Sequence, residues 1–240
     1  MNRIWFFLWV LVFAQVNALE SDVLRILEAN VKALGGEEAH RKLRSRRLSG
    51  TIEIKSLGIT SKVTITSKSP DMERSDIVMA GLGTAIEGFD GKEAWSHNTF
   101  TGTTLKEGEA LSEAKRQAAF YRDIELASRL REWQLVGAAE VGGRPAYQVR
   151  GKNDSGKWET YYIDMKSWLV LKVEYYLHAA GSDIKAVTLA GDYREVDGIK
   201  LPHEVTMIEP AAAGFVLNIT DVQHNIAVDD RFFQNPGKAE

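Results

Sequence analysis

Residues 158–177 carry the clearest structural signal in the chain and read WETYYIDMKSWLVLKVEYYL. Every second position of the last half is apolar: Leu169, Leu171, Val173, Tyr175 and Leu177. Lys172, Glu174 and His178 lie at intervening positions, on the other face. Because successive side chains of a β-strand point to opposite faces, this alternation predicts strands with one covered and one solvated face.

The same period of two extends outward along the chain, at Val63 and Ile65 and again at Phe215, Leu217 and Ile219. Short turn signals separate the apolar runs, and they are Asp90-Gly91, Gly142-Gly143, Asn153–Gly156 and Asp197-Gly198. Hairpin after hairpin predicts an antiparallel meander. About eleven strands are expected, which is too many for a flat sheet and favours strong curling or a barrel.

Two segments depart from this β pattern and are predicted to be helical. Apolar residues between Ser21 and Leu34 follow helical spacing, and Gly35-Gly36 marks a C-terminal stop. A short second helix is expected over residues 37–43. The segment Glu109–Trp133 has helical spacing inside the meander and predicts one helix or two short ones. The fold class is therefore mainly β with helices (α+β).

Composition limits the range of functions. Of the 240 residues, 44% are hydrophobic and 26% are charged, which is typical of a globular protein. The formal net charge of −3 argues against a nucleic-acid binder. The absence of cysteine excludes disulfides, thiolate zinc sites, a cysteine nucleophile and a lipidated cysteine.

The N-terminus resembles a secretory signal peptide over residues 1–18, followed by a single domain over residues 19–240. Arg3 precedes an apolar run of 11 residues, Ile4–Ala14, which is too short to span a bilayer as a helix. Small residues around Ala18 suit cleavage. We therefore expect an exported protein, periplasmic in a Gram-negative cell; an uncleaved membrane anchor is the alternative.

Catalytic and metal-binding motifs are weak in this sequence. The five histidines are scattered, and no HExxH, P-loop or G-x-S-x-G motif is present. His97 follows Glu87, Asp90 and Glu93, which could form a metal site, but an exposed charged hairpin has the same pattern. We expect no cofactor, no metal and no enzymatic activity. An enzyme would need His97 or His203 to meet an acid in a pocket.

A basic run lies between the helices and the first strand. Residues 41–47 read RKLRSRR, in which five of seven positions are basic. One interpretation is contact with anionic head groups. The other is a solvated helix end, where cations suit the helix dipole.

Four motifs in order along the chain resemble the LolA-like family, the periplasmic carriers and sensors of the lipoprotein-localisation type. They are Ala33–Gly36 before a first strand over residues 47–54, Lys68-Ser69-Pro70 followed by Phe89–Lys92 and Trp95, Asp197–Pro202, and Asn225–Phe233 followed by Pro236. Ser69 occupies the position at which the lipoprotein carriers have an arginine.

The resemblance implies an incomplete antiparallel barrel closed by helices over a hydrophobic cavity. It also implies shielding of lipoprotein or lipid acyl chains between an inner-membrane donor and an outer-membrane acceptor. We expect a monomer with no nucleic-acid partner. A sensor or scaffold that binds a protein partner is the alternative. The candidate ligand-binding residues, taken from alternation and resemblance together, are Trp95, Tyr121, Leu126, Leu130, Leu169, Leu171, Val173, Phe215 and Leu217.

Overall fold

A computed structural model describes residues 22–81, 83–179, 182–209 and 214–238. The predicted signal peptide lies outside these residues, as does Ser21, which the sequence predicts to cap the first helix. The described ranges contain four α-helices: α1 (22–33), α2 (Glu37–Arg41), α3 (Gly108–Ala118) and α4 (Leu126–Arg129). Within the described part of the chain, no helix is long and apolar enough to span a membrane.

The glycine pair ends α1 as predicted. Gly35 has a φ of 113°, a conformation that residues with a side chain rarely adopt. A Cβ at Gly35 would also lie 2.2 Å from the carbonyl oxygen of Gly198. The end of α1 therefore packs directly against the turn between two late strands, and glycine is required there.

Among the residues that the structure describes, thirteen strands, two more than expected, form one antiparallel sheet. The strands are β1 (Ser45–Ile54), β2 (Ile59–Lys68), β3 (Met72–Met79), β4 (Gly83–Phe89), β5 (Ala94–Asn98), β6 (Gly102–Lys106), β7 (Arg131–Val141), β8 (Arg144–Lys152), β9 (Trp158–Asp164), β10 (Val170–Ala179), β11 (Ser182–Val196), β12 (Ile199–Ile208) and β13 (Phe215–His224). Their order is β6-β5-β4-β3-β2-β1-β13-β12-β11-β10-β9-β8-β7, so the sheet is made of the meanders β1–β6 and β7–β13, joined by the pairing of β1 with β13.

The sheet is curled and unclosed rather than a barrel. Its edge strands are β6 and β7, and the segment that joins them contains α3 and α4. Helix α3 contacts both β4 and β10, which are seven positions apart in the strand order. In a flat sheet these strands would be about 33 Å apart. The sheet must therefore curl around α3, and we call the face toward the helices the inner face.

A β-bulge corrects one sequence expectation. Val170 pairs with Ile163 and Val173 pairs with Tyr161, so one extra residue lies between them on β10. The bulge turns Leu171 to the outer face, where it packs with Tyr162, while Val173 packs on the inner face. The prediction that Leu171 and Val173 share a face was therefore wrong, because alternation in the sequence cannot reveal an inserted residue.

The predicted helical insertion is confirmed in type but is shorter than expected. Helices α3 and α4 occupy most of it, and β7 begins at Arg131. Trp133 is therefore a strand residue, buried in the core that α1 and α4 form against the sheet.

The C-terminal segment, residues 225–238, crosses the outer face of the sheet. Lys68 on β2 donates hydrogen bonds to the carbonyl of Val228 and to Asp230. Further along, Trp95 on β5 donates its indole N–H to the carbonyl of Phe233 at 3.0 Å. We call these residues the C-terminal strap, since they tie several strands together from outside.

Candidate ligand-binding site

The inner face carries an apolar surface on five consecutive strands, β3, β2, β1, β13 and β12. We call it the inner wall and define it by six residues: Ile52, Ile65, Ile77, Val205, Phe215 and Leu217. Their positions follow from register, since Ile52 pairs with Leu217 and Leu217 pairs with Val205. All six side chains are half-buried.

Partial burial distinguishes the inner wall from an ordinary core. Core residues of a small domain are covered on all sides, as Val149 and Ile163 are here, with 0% exposure. The wall residues are aligned on a concave surface but keep solvent access. Such a surface can accept an apolar ligand without unfolding any part of the sheet.

One end of the inner face is closed by a packed core. Val23, Ile26 and Leu27 of α1 and Leu126 of α4 are buried against β7, β8 and β9. A notch of about 340 Å³ lies between α1 and α4, outside this core. The notch is lined by residues of α1, by the start of α2 and by residues within 123–127, and not by the inner wall.

Helix α3 crosses the inner face with two different kinds of contact. On one side, Leu111, Ala114 and Ala118 pack against Phe89 and Ala94. These contacts are small and apolar, and they join the helix to the β4–β5 end of the sheet.

The other side of α3 is held by polar contacts. Ser155, in the turn between β8 and β9, donates to Glu109 at 3.0 Å. Within the helix itself, Arg116 pairs with Glu109 and Glu113 at 2.9 and 2.5 Å. The hydrogen bond from Arg116 lowers the pKa of Glu109 against the opposing effect of burial, which keeps this carboxylate charged. Helix α3 thus bridges two distant parts of the sheet through a polar contact that solvent can replace.

A second packed core, formed by Leu43, Phe120, Ile199 and Leu201, covers the start of β1, and we call this place the closed end of the wall. A charged residue lies there. Arg46, the second residue of β1, is 7% exposed, and its guanidinium lies 5.4 Å from the centre of the Phe120 ring. Register places it on the inner face between Ser67 of β2 and His224 of β13. Burial lowers the pKa of Arg46, although the neighbouring charge of Asp123 opposes this effect. An arginine remains cationic even so.

The structure separates the nine candidate residues of the sequence analysis into several environments. Phe215 and Leu217 lie on the inner wall, and Val173 lies on the same inner face against the core. Leu126 and Leu130 are members of the packed core beneath α1. These five share the inner face.

The other four candidates lie elsewhere. Trp95 is on the outer face, fully buried beneath the C-terminal strap. Leu171 is on the outer face as a result of the bulge. Leu169 precedes β10 and is half-buried. Tyr121 braces the closed end, where its hydroxyl donates to the carbonyl of Leu43 at 2.9 Å.

Sequence reasoning missed most of the inner wall. Ile52 and Ile77 belong to strands whose alternation is weak, because serine, threonine and charged residues interrupt it. The wall becomes visible only when β1 is paired with β13, a contact between residues more than 160 positions apart. The sequence identified Arg46 only as one of the five basic residues of the run 41–47, with nothing to distinguish it from the other four.

The residues of the conjectured metal and catalytic sites are not brought together. Glu87 pairs with Ser96, so it lies on the opposite face from His97, whose ring contacts Thr103 at 2.9 Å. His203 is buried, and its Nδ1 contacts the carbonyl of Leu201 at 3.0 Å. In the described ranges, no group of three or more histidine, aspartate or glutamate side chains is arranged to hold a metal ion.

Solved structures with the same fold support this architecture. A DUF1329 family protein from Desulfovibrio piger is 13% identical with a TM-score of 0.58, covering 90% of this chain and 98% of that one. A LolA superfamily protein from Nitrosomonas europaea is 13% identical with a TM-score of 0.56, covering 85% and 96%. A domain described as an outer membrane lipoprotein-sorting protein, from Vibrio parahaemolyticus, is 12% identical with a TM-score of 0.52, covering 79% and 89%. The chain therefore has a LolA-like fold.

Sequence comparison adds a family assignment. None of the curated proteins matches this sequence. A family model with the description "Uncharacterized protein" matches residues 113–236, a range that begins within α3 and ends within the C-terminal strap. Because the match covers just over half of the chain, the protein belongs to the family of that description, and it carries the LolA-like fold.

Proposed function

We propose that this protein is an exported carrier that binds the acyl chain of a lipid or lipoprotein on its inner wall and shields it from water. The observation that carries the proposal is the half-buried apolar wall on the concave face of a curled sheet. The names of two structural neighbours, a LolA superfamily protein and a lipoprotein-sorting domain, are consistent with such cargo.

Burial of apolar surface is sufficient to hold an acyl chain without a covalent bond. Each buried CH₂ group contributes about 0.8 kcal/mol, so a long acyl chain can be held without a covalent bond. The proposed carrier is not an enzyme, since its cargo would leave unchanged. Helix α3 would move aside during loading and release, because one of its two attachments is polar and exchangeable with water.

The cellular setting is part of the proposal. The N-terminal sequence favours export, with the periplasm as the compartment and cleavage near Ala18. A carrier in that compartment would receive cargo from a donor at the inner membrane and deliver it to an acceptor at the outer membrane. A monomer suffices for this role.

The first test is native mass spectrometry of the protein purified from the periplasm of a Gram-negative host, followed by solvent extraction. We expect additional mass that extracts as acylated lipid or lipopeptide. The apoprotein should also bind the neutral apolar fluorophore N-phenyl-1-naphthylamine, which hexadecanoyl compounds should displace. Absence of bound lipid, of fluorophore binding and of displacement would contradict the carrier function and favour the sensor or scaffold alternative.

A matched pair of variants localises the binding. Val205→Gln places a polar group on the inner wall, and we expect it to weaken fluorophore binding at least about tenfold. Ile208→Gln makes the same kind of change on the same strand, but at a side chain that is 47% exposed on the outer face. Equal effects of the two variants would place the binding site away from the inner wall.

A further inference from the structure

The closed end of the inner wall contains a buried cation without a partner. In the part of the chain that the structure describes, the Arg46 side chain makes no hydrogen bond or ion pair, and its Nε is completely buried. Other semi-buried arginines are satisfied: Arg74 pairs with Asp76 at 2.7 Å, and Arg116 pairs with Glu109. A largely buried guanidinium whose Nε has no partner is costly, so its presence requires an explanation.

Nearby carboxylates do not supply the missing partner. Glu73 accepts a hydrogen bond from Ser67 at 2.9 Å and pairs with Arg122 at 3.5 Å. The side chain of Asp123 is 50% exposed, with Arg122 at 4.0 Å. Neither carboxylate lies within ion-pair distance of Arg46. In the described residues, the Arg46 guanidinium lies over the Phe120 ring, whose face attracts the cation but leaves its N–H donors unused.

A second buried polar atom is unsatisfied at the same place. His224 pairs directly with Arg46 across β13 and β1, and side chains of such a pair lie about 5 Å apart. Its Nδ1 contacts Asp197 at 2.9 Å, while its Nε2 is buried without a hydrogen-bond partner. Two orphaned groups therefore meet at the closed end of the wall.

The position of Arg46 relates it to the apolar surface. Leu48, Ile52 and Ile54 follow it on the inner side of β1, and at 3.4 Å per residue the distance from Arg46 to Ile54 is about 27 Å. This is long enough for an extended long-chain acyl group. A molecule lying along β1 would thus have its apolar tail on the wall and its head beside the guanidinium.

We propose that Arg46 binds the acidic head of an amphiphile, a carboxylate or a phosphate, whose acyl chain lies along the inner wall. The guanidinium presents N–H donors in a planar fork that fits either group in a bidentate manner. This inference rests on the proposed function and narrows it, because it favours amphiphiles with an acidic head over neutral lipids as cargo. The basic run 41–47 has contact with anionic head groups as one of its two interpretations, and the proposal gives that role to Arg46 alone.

Competition against bound N-phenyl-1-naphthylamine tests the proposal, because this neutral fluorophore does not need Arg46. The competitors are hexadecanoic acid, hexadecyl phosphate and hexadecan-1-ol, each below its aggregation concentration. We expect at least one acid to bind the wild-type protein at least about tenfold more tightly than the alcohol. The two acids distinguish a fatty acid from a phosphorylated lipid as the source of the head group.

Arg46→Gln should abolish the preference for the acids and leave the affinity for the alcohol within about twofold. Arg46→Lys should retain part of the preference, since the charge remains but the planar fork is lost. The matched control is Arg47→Gln, which removes a neighbouring cation on the outer face and should leave the preference intact. A wild-type protein without preference, or a preference that survives Arg46→Gln, would overturn the proposal. Fluorophore binding in the absence of any displacement would instead contradict the carrier function.

If Arg46→Gln folds poorly, unfolding temperatures measured with and without the acids test the proposal instead. Replacing an unpartnered buried charge by an apolar residue should leave the apoprotein equally or more stable, so we expect Arg46→Met to unfold at or above the wild-type temperature. Hexadecanoic acid or hexadecyl phosphate should raise the unfolding temperature of the wild type more than that of Arg46→Met. A strongly destabilised Arg46→Met that still responds fully to both acids would assign Arg46 a structural role.

Discussion

Apolar residues beneath the C-terminal strap on the outer face are fully buried, whereas apolar residues of the inner wall are only half-buried. On the outer face, Trp95 and Phe233 are both 0% exposed, because the C-terminal strap covers the strands and satisfies the indole N–H. On the inner wall, Ile52, Val205 and Leu217 keep part of their surface accessible. The part of the outer face beneath the strap is thus covered by the chain itself, while the inner wall retains the capacity to bind another molecule.

This comparison separates stability from binding. Residues covered by the strap should determine whether the sheet folds, and wall residues should determine what it holds. The four changes below test this separation, from the largest expected effect on stability to the smallest.

Trp95→Ala should give the largest loss of stability. The change removes a fully buried ring and its hydrogen bond to Phe233, and such substitutions cost about 4 kcal/mol. Urea unfolding followed by circular dichroism measures the loss. At a temperature where the variant is still folded, its affinity for N-phenyl-1-naphthylamine should equal that of the wild type. A weaker affinity without a loss of stability would place Trp95 in the ligand site.

Gly88→Ala should destabilise the same face by about 3 kcal/mol. A Cβ at Gly88 would lie 2.3 Å from the Trp95 ring, which is enclosed and cannot move away easily. Gly191→Ala is the matched control on another strand, where the nearest atom would be 3.9 Å away. Thermal unfolding of both variants should show a large shift for Gly88→Ala and little for Gly191→Ala. Similar shifts would mean that strand propensity, not the fit against Trp95, explains the loss.

Glu174→Gln tests a part of the outer face that polar contacts stabilise instead of the strap. Burial raises the pKa of Glu174, but hydrogen bonds from Lys172 and Lys185 outweigh it and lower the pKa from 4.5 to about 2. A carboxylate with a lowered pKa stabilises the fold above pH 4.5, and this contribution is lost as the pH falls toward 2. The variant should be less stable by about 2 kcal/mol at pH 7, with a difference that shrinks below pH 4.5.

Urea unfolding at several pH values between 7 and 3 measures this difference. Glu204→Gln is a suitable control, because Glu204 is exposed on the outer face of β12. A difference between wild type and Glu174→Gln that stays constant across this range would contradict the ion-pair explanation.

Those parts of the fold that depend only on neighbouring residues in the sequence could be predicted. The alternation of Phe215, Leu217 and Ile219, the turn at Asp197-Gly198 and the glycine pair after α1 each specify their own geometry, and the corresponding elements are present. The bulge at Leu171 could not be predicted. One extra residue moves side chains from one face of the strand to the other, and the apolar residue types themselves give no sign of it.

The candidate site was harder to predict because it depends on distant contacts. The sequence identifies Phe215 and Leu217 as apolar and alternating, but not which face the helices cover. Trp95 resembles a cavity residue until the strap, more than 130 residues later, is placed over it. Arg46 is unusual only because its neighbours in space lack a free carboxylate, and that property depends on the pairing of β1 with both β2 and β13.

Leu217→Ala should have the smallest effect on stability and a clear effect on binding. The side chain is half-buried between Ile52 and Val205, so its truncation removes about 1 kcal/mol of packing. It should nevertheless weaken N-phenyl-1-naphthylamine binding several-fold, because the lost surface contacts the fluorophore in the complex. Urea unfolding and fluorescence titration of one preparation measure both quantities. A stability loss as large as that of Trp95→Ala would mean that the inner wall is part of the core and would remove the distinction between the two faces.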